Sequence, residues 1–432
     1  MPRVMSVLAA LSMEACAPAL APERQAGSAP ADYRVDNALW YDGAGFQART
    51  AYVRGGTLSF ASATDAALEV IDAQGGYAIP PLCEGHNHNL GDTSDREEVR
   101  QVIDAYLERG VFYAMMHGSF PLYRDAIGDM INHPASIDVA FASNGLTGSG
   151  GHPRALREFL MERFGSYPEF TIETLPDNGY FEADTLDEVH EKWALIRAGE
   201  PDFVKVMLYF SEEYAARRDD PEYYGRRGLD PELLGEVVRL AHGDGLRVSV
   251  HVESEADMIA ALEAGADMIA HLPSYDADVR LSDETVALAA ESGAALITTL
   301  SLARRVEFSD PQLYADILEA QRDNLRRLHA AGARLVLGSD NVRSVSDGEA
   351  GHIAGLEVLG NADILDMWTL NCAQTAFPGR RIGRLAEGYE ASFLILEAVP
   401  LADLGATGQI RAAMKQGQRL ALPARAEPAG GE

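Results

Sequence analysis

Cysteine is scarce, with three in 432 residues, too few for a disulfide framework to stand in for a hydrophobic core. Positive charge is scarce too. Against 66 Asp and Glu stand 36 Lys and Arg, a formal charge of −30. Such a field repels a phosphate backbone or an anionic membrane surface, which argues against nucleic acid as a partner. No apolar run reaches the ~18 residues of a membrane-spanning helix. Neither the His-Glu-x-x-His zinc motif nor the Gly-x-Ser-x-Gly elbow occurs, so two common hydrolase mechanisms lose support. What is present is apolar mass. At 47% hydrophobic, the chain can build a large core, and its length suits a barrel of roughly 250–300 residues with a smaller unit attached.

Residues 1–30 read differently from the rest. Arg3 gives a short basic start, VMSVLAAL an apolar stretch near the lower limit for a signal peptide, and Cys16 opens an Ala/Pro-rich segment. A Cys so placed resembles the lipid-modified residue of bacterial lipoproteins, although Glu14 departs from the small residues their cleavage sites prefer. The expectation is an exported chain, periplasmic or tethered to a membrane by a lipid at Cys16. A disordered cytoplasmic leader is the alternative.

Residues 31–76 carry short strand-like runs between Gly and Asp turns (ALWYDG, TAYVRGGTLSF, LEVIDAQG). Over residues 77–376, apolar runs alternate with longer amphipathic stretches. The candidate strands are YAIPPLCEG, GVFYAMMHG, SIDVAFASNG, DFVKVMLYF, LRVSVHV, ADMIAH, AALITTL and ARLVLGSD. Helical patterns fall at residues 94–109, 231–244, 254–264 and 311–331. In the third of these Met258, Ile259 and Leu262 share a face, and Gly265 stops the helix. This alternation predicts an α/β fold, a (β/α)8 TIM-like barrel. Strand-like texture returns over residues 377–432, so the two ends are expected to form a small β-sandwich domain beside the barrel.

The chemistry lies in where ionisable residues meet those strands. His86 and His88 follow the first, and alternate strand residues face one side, so both imidazoles can reach one metal. Lys205 sits inside FVKVML, His251 ends LRVSVHV, His271 ends ADMIAH and Asp340 ends RLVLGSD. In a parallel barrel the C-terminal strand ends converge at one mouth. Each residue has a plainer account: a hydrogen-bonded structural His, an outward-reaching Lys, a Ser-Asp helix cap. The recurrence of such residues at the ends of strands one, four, five, six and eight favours a single constellation.

That pattern resembles the amidohydrolase superfamily of metal-dependent hydrolases over about residues 33–420, and within it the imidazolonepropionase-related and Xaa-Pro dipeptidase-like group. GLTGSGGHP and GLDPELLGEVVRLAHGDGLRVSVHVE suggest the group, and DILDMWTLNCAQTAFPGRRIGRLAEGYEASFLILE resembles the superfamily's C-terminal helix and return to the β-domain. The resemblance implies two divalent ions, by ligand chemistry Zn²⁺, held by His86, His88, Lys205, His251, His271 and Asp340. Lys205 would be carbamylated by carbon dioxide and bridge the ions, because an unmodified ammonium beside two cations would be repelled. The implied reaction is hydrolysis of an amide or peptide-type C–N bond of a small substrate by metal-activated water, with Asp340 moving the proton. His152 is a further catalytic or substrate-holding candidate, and His117, Tyr209, Tyr275, Arg304 and Arg343 follow other strands and are candidate substrate contacts. Cys83, three residues before His86, is expected to pack within its strand. The resembling peptidases often form homo-oligomers. A mononuclear deaminase or cyclic-imide hydrolase, and a non-catalytic binding protein on the same barrel, are the alternatives.

Overall fold

The computed structural model describes residues 32–61, 68–273, 277, 279–342 and 345–423. Cys16, Tyr275 and Arg343 lie outside the described residues. Eight parallel strands occur in the expected order: Leu82–Asn87, Val111–Met116, Asp138–Phe141, Phe203–Met207, Arg247–His251, Met268–Ile269, Ala295–Ile297 and Arg334–Val336. The first three form one sheet. The other five form a second, with the short strands Leu146–Thr147 and Phe181–Glu182 at its edge. The sheets meet at both ends. Ala142 bridges Phe203 between the third and fourth strands, and Gly85 N donates to Leu337 O at 3.0 Å beside the eighth. These strands are wholly or almost wholly buried, which matches their continuous Val, Ile and Leu runs.

The helices between them start where capping chemistry places them. Asp95 caps Arg96–Glu108, Asp230 caps Pro231–Gly243 with proline in the first turn, and Asp310 caps Pro311–Ala330 in the same way. Ser254 and Asp257 form a capping box on Glu255–Glu263, whose Met258 and Leu262 are buried. Ile259 is only partly buried, at the edge of that face.

Three expectations need correction. YAIPPLCEG is two strands, because Pro80 and Pro81 have no N–H to donate and break the ladder. Tyr77–Ile79 joins the terminal sheet, and Leu82–Asn87 begins the parallel one. The expected sandwich is a single hydrogen-bonded sheet that draws strands from both ends of the chain in the order 418–420, 410–415, 393–396, 77–79, 33–41, 46–54, 57–59. It curls over its own apolar core, with Leu58 N bonded to Tyr389 O at 2.8 Å, and Trp40 packs edge-on against Phe393 with centroids 5.2 Å apart. Cys83 is not a plain packed thiol but is disulfide-bonded to Cys372, with 5.7 Å between Cα atoms and 289 residues between them in sequence. The bond ties the first parallel strand to the helix Cys372–Ala376.

Candidate active site

The first and eighth parallel strands approach so closely that only glycine fits. A Cβ on Gly85 would stand 2.7 Å from Leu337 O, and one on Gly338 would stand 2.7 Å from His86 N. Asp340 N donates to His86 O at 2.7 Å, and Asp340 takes φ +47°, a left-handed conformation that Asp tolerates better than most residues. Strand geometry then aims the donors. His86 Nε2 lies 3.2 Å from His88 Nε2, and Asp340 Oδ1 lies 3.7 and 3.6 Å from the two rings. These three ligand atoms lie within 4.8 Å of one another. His86 Nδ1 meets Ala270 O at 2.8 Å. A carbonyl can only accept, so that nitrogen carries the proton and Nε2 keeps a lone pair for a metal.

Lys205 projects from the fourth strand into the same space. It is 1% exposed, and Nζ has no hydrogen-bond partner among the described residues. Burial pulls its pKa down to about 7, against the upward pull of Asp340. Asp340 is pushed up to about 6 by burial, with Lys205 pulling the other way. The His271 ring is tilted against that of His86 (centroids 4.5 Å) and crosses that of His251 edge-on at 4.7 Å, with its Nδ1 2.9 Å from Thr299 Oγ1. His251 Nε2 faces Glu253 Oε1 at 3.0 Å. Five of the six expected ligands line one cavity of about 600 Å³, and His86 lies buried among them.

Among the carboxylates of this neighbourhood that were not singled out from the sequence, two bond to expected ligands. One is Glu253, buried and bonded to His251. The other is Glu84, fully buried beneath the first strand. It accepts from His86 N (3.0 Å), Ser339 N (2.8 Å) and Ser339 Oγ (2.7 Å), so one side chain clamps the backbone of the expected ligand His86 and the residue next to Asp340. Burial raises its carboxyl to about 8, despite those donors. The sequence signal was a Glu inside an apolar strand, overshadowed by the His-x-His that follows. Glu84→Ala should leave buried donors unpaired at ~1–3 kcal/mol each and weaken metal affinity by ~10–100-fold. Urea unfolding and metal titration check both, and wild-type values in the variant would remove the clamp.

The remaining candidates divide. His117 is fully buried, with Nε2 on Gly85 O at 2.9 Å and Nδ1 3.2 Å from Ser249 Oγ, and its ring stacks on His86 at 3.8 Å. With both nitrogens engaged it props His86 and has none left for a substrate, although an edge of the ring reaches the cavity wall. His152 and Tyr209 stand together on the cavity, their rings 5.1 and 6.0 Å from that of His251. The loop holding His152 is pinned by His152 N to Arg227 O at 2.8 Å. Arg304 is not a lining residue, whereas Arg305 is. Both lie on the 3-10 turn Leu300–Arg305, where successive side chains point about a third of a revolution apart, so a shift of one residue changes which cation faces inward.

Desolvation pulls the imidazoles of His86, His88, His117, His152 and His271 well below 6.5, and that of His251 to about 3. In the unfolded chain they take protons near the ordinary value of ~6.5. Below that pH the unfolded state gains protons that the folded state refuses, so stability is full above ~6.5 and falls on acidification. Metal-free protein should lose up to ~1.4 kcal/mol per pH unit for each buried ring between about pH 6.5 and 4.5. A urea midpoint that stays flat from pH 7 to 5 would contradict this.

The amidohydrolase family model matches residues 157–420, a span holding Lys205, His251, His271 and Asp340. Ochratoxinase from Aspergillus niger is 26% identical over 360 residues, covering 76% of this chain and 71% of that protein. The crystal structure of A. niger ochratoxinase has a TM-score of 0.68 at 20% identity, covering 90% of this chain and 96% of the other. A crystal structure of an Xaa-Pro dipeptidase with methionine bound in its active site has a TM-score of 0.69 at 18% identity, covering 90% and 99%. At such identities the structural likeness speaks for the fold.

Proposed function

The chain belongs to the amidohydrolase family and is a hydrolase of C–N bonds, and we propose that it uses two divalent ions to cleave an amide- or peptide-type bond of a small substrate. The observation that carries this is the buried Lys205 Nζ, which has no hydrogen-bond partner among the described residues and lies among imidazoles and Asp340. Such a group is costly unless something else completes its surroundings. His86, His88, Lys205, His251, His271 and Asp340 would hold the ions, and the all-nitrogen-and-oxygen donor set suits Zn²⁺. When bound, the ions supply Lewis acidity toward a carbonyl and toward water.

The chain's own residues do the rest. Burial pulls the pKa of Lys205 down to about 7, which favours the free amine over the ammonium. As the free amine its lone pair can attack carbon dioxide, losing a proton as the new C–N bond forms, to give a carbamate anion whose oxygens would be available as metal ligands. Asp340, raised toward 6, is a base strong enough to take a proton from water and pass it to the departing nitrogen. His152 and Tyr209 stand where they can orient the substrate. The printed names of the relatives, a dipeptidase and an ochratoxinase, support small organic substrates.

The hydrogen bonds that join the two parallel sheets at both ends support a closed (β/α)8 TIM-like barrel. On this reading residues 77–376 make the barrel, and residues 31–76 and 377–432 the terminal β-domain, into which Tyr77–Ile79 also pairs. Export fits the Cys83–Cys372 disulfide, since such bonds persist in oxidising compartments. A lipid at Cys16 and a homo-oligomeric state belong to the same reading. No helix among the described residues is long and apolar enough to cross a membrane.

A one-ion deaminase or cyclic-imide hydrolase is the second reading, favoured by the tight grouping of His86, His88 and Asp340 alone. The test is a screen of zinc-loaded protein on N-acyl amino acids, dipeptides, aryl amides, ureas and lactones. Amide cleavage that a chelator abolishes is expected. Turnover confined to lactones would overturn the C–N assignment.

A further inference from the structure

Asp257 does more than cap its helix. The carboxylate of a capping box needs to reach only the backbone N–H of the N-cap residue, here Ser254 N at 3.2 Å. Asp257 Oδ2 also accepts from Glu253 N and from Phe210 N, each at 2.9 Å. Oδ1 accepts from Ser211 N at 2.7 Å and from the Ser211 hydroxyl. The side chain is fully buried, so five donors from two separate turns converge on one carboxylate.

One of those turns follows the fourth parallel strand, which carries Lys205, and the other follows the fifth, which ends at His251. On the first turn Phe210 takes φ +54°, a left-handed conformation uncommon for a bulky residue, and the carboxylate takes hold there and at the residue after it. Tyr209, just before, lines the cavity with its ring 6.0 Å from that of His251. On the second turn the bond to Glu253 N fixes the residue whose carboxylate faces His251 Nε2 at 3.0 Å. An ionised carboxylate can only accept, so it holds the proton on Nε2 and leaves Nδ1 a lone pair.

We propose that Asp257 is a positioning residue for the hydrolysis. It locks the turns after the fourth and fifth strands to one another, and so sets where Tyr209 and the Glu253–His251 pair stand at the cavity. Asn would offer a single oxygen, and its NH2 would face backbone N–H groups in either orientation. Glu would still close the capping box, as the usual residue at that position, but its longer chain cannot keep the same oxygens on both turns. The effect on the metal site rests on the two-ion reading, whereas the lock between the turns does not.

The test compares Asp257→Asn and Asp257→Glu with wild type and with Asp310→Ala, which removes the cap of another helix. In metal-free protein, amide hydrogen exchange over residues 209–213 should speed up ~10–100-fold in both Asp257 variants, the worth of hydrogen bonds to a charged group. It should not change there in Asp310→Ala. Zinc titrated into the same proteins should bind ~10–100-fold more weakly to both Asp257 variants and with wild-type affinity to Asp310→Ala. Wild-type exchange over 209–213, or full rescue by Asp257→Glu, would reduce Asp257 to a helix cap and overturn the lock. Faster exchange with unchanged zinc affinity would overturn its reach to His251. Faster exchange in a protein whose wild type binds no zinc would keep the lock and sink the two-ion reading.

Discussion

Lys205→Ala should reduce turnover by on the order of 10³-fold or more, beyond the ~10–100-fold usual for losing a residue that only supports a ligand. The side chain is buried and surrounded by His86, His88, His251, His271 and Asp340, and no hydrogen bond among the described residues accounts for it. If it bridges two ions as a carbamate, its loss removes ligand oxygens from both, and bound metal should fall with activity. A short carboxylic acid such as propionate carries two oxygens that could stand in for the carbamate's, so part of the activity should return with it. Alanine also removes a buried amine that has no hydrogen-bond partner among the described residues, so the variant should remain folded by circular dichroism. Wild-type turnover in Lys205→Ala would leave the bridge without support.

Asp340→Asn should separate holding a metal from moving a proton. The amide oxygen can still coordinate, so most of the metal should stay, but it cannot accept a proton. The expected fall in kcat is ~10²–10⁴-fold, the range for a lost general acid–base group. The backbone should tolerate the change, because Asn accepts the left-handed φ of +47° as readily as Asp does. A fully metallated Asn variant with unchanged kcat would show that the proton goes elsewhere.

The gathering of these side chains at one place was legible because strand periodicity puts them there, whereas their role as ligands came from the family resemblance. His86 and His88 are two residues apart on one strand, and Lys205, His251, His271 and Asp340 each fall at or near the end of an apolar run. The same periodicity marked the eight parallel strands and the capped helices between them. What it could not convey was pairing across long sequence distances. Glu84 and Ser339 are 255 residues apart, and Cys83 and Cys372 are 289 apart, so no local pattern announces either contact. The choice between Arg304 and Arg305 turns on the phase of one 3-10 turn, finer than a sequence window resolves. His117 looked like a mouth residue because it ends the second strand, and only the bonds to Gly85 and Ser249 show that its nitrogens are engaged inward.

The number of ions is what divides the two-metal reading from its one-metal and non-catalytic rivals. Metal-free protein titrated with zinc, with bound metal and amide turnover measured on the same samples, decides it. Two ions per chain are expected, with turnover near zero at low occupancy and rising only as the second ion binds. Full turnover at one ion per chain, or no binding at all, would contradict the two-metal centre.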